Sequence, residues 1–170
     1  MILPSDEADI VAGKDTLLLR YPWIVPSSIP FLQSIVSSGT KILEFGCGGS
    51  TLFFEDLGAE VTSYDSNVEW VENVRSHAKS AKIFHISEYN PLEILNGTFD
   101  ILSVDSNPDD TDRLAVLSNS ILKLKSTGYL LLDNYFSFGM ENFNYPENIE
   151  MFTFDHPQWC GNGTRVVKFK

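Results

Sequence analysis

The stretch Lys41 to Asp65, KILEFGCGGSTLFFEDLGAEVTSYD, decides how this chain is read. Ile42, Leu43 and Phe45 form the short apolar run of a strand covered on both faces. Gly46, Gly48 and Gly49 follow, so the backbone can turn sharply and come close to a ligand without Cβ interference. Ser50 to Leu57 has a helical pattern, and the unpaired N–H groups of a helix N-terminus would face that turn. Val61 to Tyr64 forms a second strand, with Asp65 at its carboxyl end. The whole stretch is half of a nucleotide-binding βαβ unit.

Two features address which nucleotide. Asp65 lies 19 residues beyond Gly46, where a ribose-binding acid belongs. The turn reads G-x-G-x-x-T, however, because Thr51 stands where a dinucleotide pattern has its third glycine. Glu44, just before the turn, would repel a pyrophosphate and suits a ligand carrying an ammonium and a sulfonium. Glu44-Phe45-Gly46-Cys47-Gly48 followed by acidic Asp65 resembles motif I of the class I S-adenosylmethionine-dependent methyltransferases.

Composition narrows the class. With 170 residues, 43% hydrophobic and 12% aromatic, the chain is expected to be one globular domain. Residues 1–39 form an N-terminal cover and 40–170 the core. There are 23 acids against 12 Lys plus Arg, a formal net charge of −11, which argues against nucleic-acid binding and against an anionic membrane surface. Cys47 and Cys160, the two cysteines, make neither a disulfide framework nor a metal cluster. The N-terminal residues lack a signal-peptide pattern and no apolar stretch reaches bilayer-spanning length, so a soluble, cytoplasmic protein is expected.

Around the central unit, Tyr21 to Pro26 is too rich in proline for a helix and is placed to wall a ligand pocket or tie down the N-terminus. Ser27 or Ser28 opens a helix to about Ser37, ended by Gly39. Ser66-Asn67-Val68-Glu69 is a capping box opening a helix to about Lys79, with Trp70, Val71 and Val74 on its apolar face. Ile83 to Ile86 is a third strand, with Ser87-Glu88-Tyr89 at the sheet edge where a nucleobase can lie. Phe99 to Val104 is a fourth strand ending at Asp105. Asp109 to Lys125 is a helix, and after Gly128 a fifth strand, Tyr129 to Leu132, ends at Asp133-Asn134. Glu150 to Phe154 and Arg165 to Phe169 form a hairpin around Cys160-Gly161-Asn162-Gly163. The expected fold is α/β, a Rossmann-like three-layer sandwich with a mostly parallel sheet and an antiparallel C-terminal hairpin. Such a hairpin is what the resemblance implies.

The resemblance also implies the site. Cofactor-binding candidates are Glu44, Gly46, Cys47, Gly48, Ser50, Thr51, Asp65, Ser66, Ser87, Glu88 and Asp105. Asp65 would take the ribose hydroxyls, and Ser50 and Thr51 the cofactor carboxylate, although Ser50 reads equally as a helix N-cap. Glu44 would orient the glycine turn or hold the amino-acid portion. Asp105, Asp133 and Asn134 resemble the metal triad of the catechol- and caffeoyl-CoA-type O-methyltransferases, three hard oxygen ligands suited to Mg²⁺ or Ca²⁺ rather than zinc. The sequence departs from that family in a shorter glycine turn and in Pro108, which stands where the family has a lysine.

Asp105 and His156 are the catalytic candidates, with Asp109, Asp110 and Asp112 as further bases, while Trp159 and Tyr135 could line an acceptor pocket. The resemblance implies methyl transfer to a small molecule, at oxygen if the triad is real. The chain shows no obvious substrate-recognition insertion, so a small acceptor pocket, an acceptor bound across a homo-oligomer interface or a partner protein would each compensate. Two other readings remain open on sequence alone: an NAD- or FAD-dependent oxidoreductase, and a non-catalytic module that keeps only the cofactor site.

Overall fold

The computed structural model describes residues 16–106, 112–137, 139–156 and 163–170. Residues at successive strand positions point to opposite faces, and the sequence uses this to cover both sides of a sheet. In β1 (Lys41–Phe45), Ile42 joins one apolar cluster while Leu43 and Phe45 join the other. The same division separates Ile101 from Leu102 in β4 (Phe99–Val104), Leu131 from Leu130 and Leu132 in β5 (Leu124–Asp133), and Val166 from Val167 in β7 (Thr164–Phe169).

Helices fill the two outer layers. On the first face lie α2 (Ile29–Ile35), α3 (Gly49–Asp56) and α4 (Val68–His77), contributing Leu32, Phe54 and Val74 among others to buried clusters. On the second lies α5 (Arg113–Ser120), through Leu117. A short α1 (Thr16–Leu19) precedes them. Arg20, just after it, donates to Asp56 Oδ2 at 2.6 Å, to Glu55 Oε2 at 2.9 Å and to the His77 carbonyl at 2.7 Å, and so fastens the N-terminal segment to α3 and α4.

With β2 (Glu60–Asp65), β3 (Lys82–His85) and β6 (Ile149–Phe154), the sheet has seven strands in the order β3-β2-β1-β4-β5-β7-β6. The first five are parallel, and β7 inserts antiparallel between β5 and β6. Chain direction across the sheet reverses between β1 and β4, which opens a crevice beyond their carboxyl ends. The mostly parallel α/β sheet and its antiparallel C-terminal hairpin match the sequence reading.

Local boundaries differ in three places. The cap of α4 is Asn67 rather than Ser66: the Asn67 side-chain oxygen accepts the N–H of Trp70, three residues on, at 2.9 Å. Leu124, whose spacing fits a helix, is the first residue of β5, since its burial against β4 overrides the helical pattern. The described helix there is correspondingly short, Arg113–Ser120, followed by a single 3₁₀ turn. The hairpin's loop at 160–162, the acids Asp109 and Asp110, Pro108 and Trp159 lie outside the described residues. No helix among the described residues is long and apolar enough to cross a membrane.

Candidate cofactor site

The glycine turn is closed by backbone contacts. Gly46 has φ +100°, and a Cβ there would fall 2.4 Å from the Asp105 carbonyl oxygen. Gly49 starts α3 directly against the N-terminal segment, where a Cβ would meet the Tyr21 carbonyl oxygen. Beneath the turn, Glu44 is fully buried, and both its oxygens are engaged. Oε1 accepts from Ser50 Oγ at 2.6 Å, and Oε2 accepts from Thr51 Oγ1 at 2.5 Å and Ser63 Oγ at 2.7 Å. Thr51 Oγ1 in turn accepts the Gly48 N–H at 2.9 Å. The carboxylate therefore fixes the first turn of α3 and the shape of the loop above it. Burial raises its pKa to about 7 against the pull of the three hydroxyls.

Asp65 closes the turn from the other side. Its Oδ2 accepts the Cys47 N–H at 3.1 Å and its Oδ1 the Asn67 N–H at 2.9 Å, while burial pushes its pKa up. The Cys47 carbonyl receives the Trp70 indole N–H at 2.6 Å. Cys47 itself is a buried thiol whose pKa burial drives upward, so it is inert as a nucleophile.

The glycine turn and Asp65 border a cavity of about 410 Å³ beyond the carboxyl ends of β1, β2, β4 and β5, with Glu44 beneath its wall. Gly46 to Ser50, Asp65, Asn67 and Trp70 form one wall, and Asp105, Arg113, Asp133 and Asn134 the other. Thr16 and Trp23 border it from the N-terminal segment. The size suits one ligand of nucleoside dimensions.

The second wall brings the three proposed metal-ligand residues together, but with a guanidinium against the Asp105 and Asn134 side chains and the Asp133 main chain. Arg113 is buried and donates through Nη2 to Asp105 Oδ1 at 3.0 Å, through Nη1 to the Asp133 carbonyl at 2.9 Å and through Nε to the Ser106 carbonyl at 2.5 Å. Nη1 also reaches Asn134 Oδ1 at 3.5 Å. The Asp133 carboxylate takes a 2.6 Å bond from Thr164 Oγ1, and that same hydroxyl accepts the Val25 N–H at 3.0 Å. Burial lifts the Asp105 pKa to about 6, opposed by Arg113. As arranged, these residues do not fit a Mg²⁺ ion, which demands near-octahedral oxygen ligation at about 2.1 Å. No group of three or more His, Cys, Asp or Glu suited to a metal occurs among the described residues.

Solved structures share this architecture along nearly the whole chain. A methyltransferase from Geobacter sulfurreducens superposes with a TM-score of 0.64 at 15% identity, covering 99% of this chain and 98% of that one. S-adenosylhomocysteine-bound PaMTH1 from Podospora anserina gives 0.60 at 17% identity, over 100% and 98% of the two chains. A TehB-like S-adenosylmethionine-dependent methyltransferase from Corynebacterium glutamicum gives 0.58 at 16%, over 98% and 94%. This is the fold of the class I S-adenosylmethionine-dependent methyltransferases. Some longer structures are matched over about half their own length, 55% of one and 54% of another. No family model and no curated protein matches the chain.

Within this methyltransferase fold the remaining candidates have other surroundings. Ser66 offers its carbonyl to His85 Nε2 at 2.9 Å, and His85 Nδ1 faces Ser87 Oγ at 2.7 Å. Glu88 accepts the His85 N–H at 3.0 Å, so Ser87 and Glu88 cap the turn after β3, and neither borders the cavity. His156 follows β6 and does not line the cavity either. Tyr135 is buried, with its hydroxyl on Asp155 at 3.0 Å and its ring 3.9 Å from the Arg165 guanidinium.

Thr16, Asn67, Trp70 and Arg113 also line the cavity, and none of them is among the site candidates of the sequence. The spacing of Trp70 places it on an apolar helix face, although an indole N–H needs a partner when it is covered. Arg113 carried a visible signal, being the sole Lys or Arg between Lys82 and Lys123 in an acid-rich stretch.

Proposed function

We propose that this protein transfers a methyl group from S-adenosylmethionine to a small-molecule acceptor. The observation that carries the reading is Asp65, a carboxylate facing a cavity of about 410 Å³ while pinned to the N–H groups of Cys47 and Asn67. A carboxylate fixed in this way can accept both hydroxyls of a ribose without reorganising. The glycine turn gives the remainder of the nucleoside close access to backbone. The acidic surroundings, Asp65 and Asp105 in the wall and Glu44 beneath it, favour a ligand bearing ammonium and sulfonium over a pyrophosphate.

The sulfonium of S-adenosylmethionine brings an already activated methyl group, so the protein's work is alignment. Trp70 and Trp23 narrow the approach beside the glycine turn. Asp105 is the titratable group best placed to receive a proton from an acceptor, because it borders the cavity and holds a pKa near 6. A hydroxyl oxygen is the acceptor atom we favour, since a hydroxyl must lose its proton to become a strong nucleophile and so profits from a base. His156, away from the cavity, is not part of this proposal.

Calorimetric titration with S-adenosylhomocysteine, with NAD as the control, tests the reading. Saturable binding of the sulfur nucleotide alone is expected. Binding of NAD instead would replace methyl transfer by redox chemistry.

A further inference from the structure

Arg113 stands in a place that elementary electrostatics disfavours twice. It is the first residue of α5, where the positive end of the helix dipole repels a cation, and it is 4% exposed. Such placement persists only where the surroundings compensate it. Here they do, because each partner identified above is an oxygen acceptor: the carbonyls of Ser106 and Asp133, the Asp105 carboxylate and the Asn134 amide oxygen. Asn134 holds a left-handed backbone with φ +53°, a conformation its side chain tolerates better than most.

We propose that Arg113 is a resident cation, seated where the Asp105, Asp133 and Asn134 pattern implies a divalent ion, and that this end of the cavity works without metal. The guanidinium fork fills the space beside oxygens of Asp105, Asp133 and Asn134 that such an ion would need. It draws Asp105 Oδ1 inward, fixes the turn at Asn134, and keeps added cations out by charge and by occupancy. Its seating follows from geometry alone. The consequence for catalysis rests on the methyl-transfer reading: an acceptor that depends on metal chelation, such as a vicinal diol, gains no partner here, and an acceptor must instead present a single nucleophile toward Asp105.

The test uses Mn²⁺ as a paramagnetic probe, on the protein without nucleotide, so that its outcome is separate from cofactor binding. The Arg113 Nε–H resonance, assigned by its loss in Arg113→Lys, should stay sharp up to about 1 mM Mn²⁺, the weak end of protein sites for hard divalent ions. Its selective broadening would overturn the proposal.

Arg113→Gln should gain saturable Mn²⁺ binding, at least about tenfold tighter than the parent, and adding Asp105→Asn should abolish that gain. Arg113→Lys keeps a charge in place and should still exclude Mn²⁺, which separates charge from packing. A folded Arg113→Gln that gains no affinity would also overturn the proposal. If that variant does not fold, the resonance of the parent protein decides alone.

Discussion

Two carboxylate sites support the two walls of the cavity, one fully buried and one part-buried, and they are stabilised by opposite means. Under the glycine turn, Glu44 is surrounded by three neutral hydroxyls. At the ends of β4 and β5, Asp105 is paired with a full positive charge from Arg113. Hydroxyls can serve a protonated or an ionised carboxyl, so the first site tolerates a change of charge. A guanidinium cannot be neutralised, so the second holds its cation permanently. One half of the cavity thus rests on a carboxyl whose charge can change, and the other on a permanently charged anchor.

The largest effect that would break this picture is a clash at the seam. Gly46→Ala puts a methyl group into the Asp105 backbone at positive φ, and should cost about 4 kcal/mol or prevent folding. A denaturation midpoint close to the parent's would show that the two walls are not in contact.

The variable charge of the first site has a pH signature. The pKa of Glu44 rises from 4.5 to about 7 on folding, so the folded state binds the proton more tightly. Stability should therefore fall as pH rises from about 4.5 to about 7 and then level off, by on the order of 3 kcal/mol in all. Glu44→Gln should flatten that slope, and urea melts across the range would show whether it does.

A smaller change sharpens the division between support and ligand group. Asp65→Ala should weaken S-adenosylhomocysteine about 100-fold, the loss of two charge-assisted hydrogen bonds. Unchanged affinity by calorimetry would withdraw the ribose role. On the charged side, Thr164→Val strips both the Asp133 carboxylate and the Val25 N–H of a buried partner. It should cost about 2 kcal/mol in chemical denaturation while leaving nucleotide affinity within about twofold.

The first wall was legible because its members are close in sequence. Glu44, the glycines, Thr51 and Asp65 lie within one βαβ unit, whose regular geometry turns spacing into position. Even there the side-chain assignments shifted. Thr51 and Glu44 turned toward each other rather than the cavity, because each buried polar atom needs a partner and the other was in reach.

The order of residues alone specifies the alternation of strands and helices, the antiparallel closing hairpin and the nucleotide-type turn, since these follow from hydrophobic period and from backbone freedom at glycine. It also placed Asp105, Asp133 and Asn134 at neighbouring strand ends. Only the tertiary structure decided what lies among them. Arg113 comes from the start of a helix on the far side of the sheet, and no local pattern states which carbonyls a long side chain will reach once the layers pack. Burial also decided the charge of the site, because a cation costs too much away from water unless the folded chain surrounds it with oxygen.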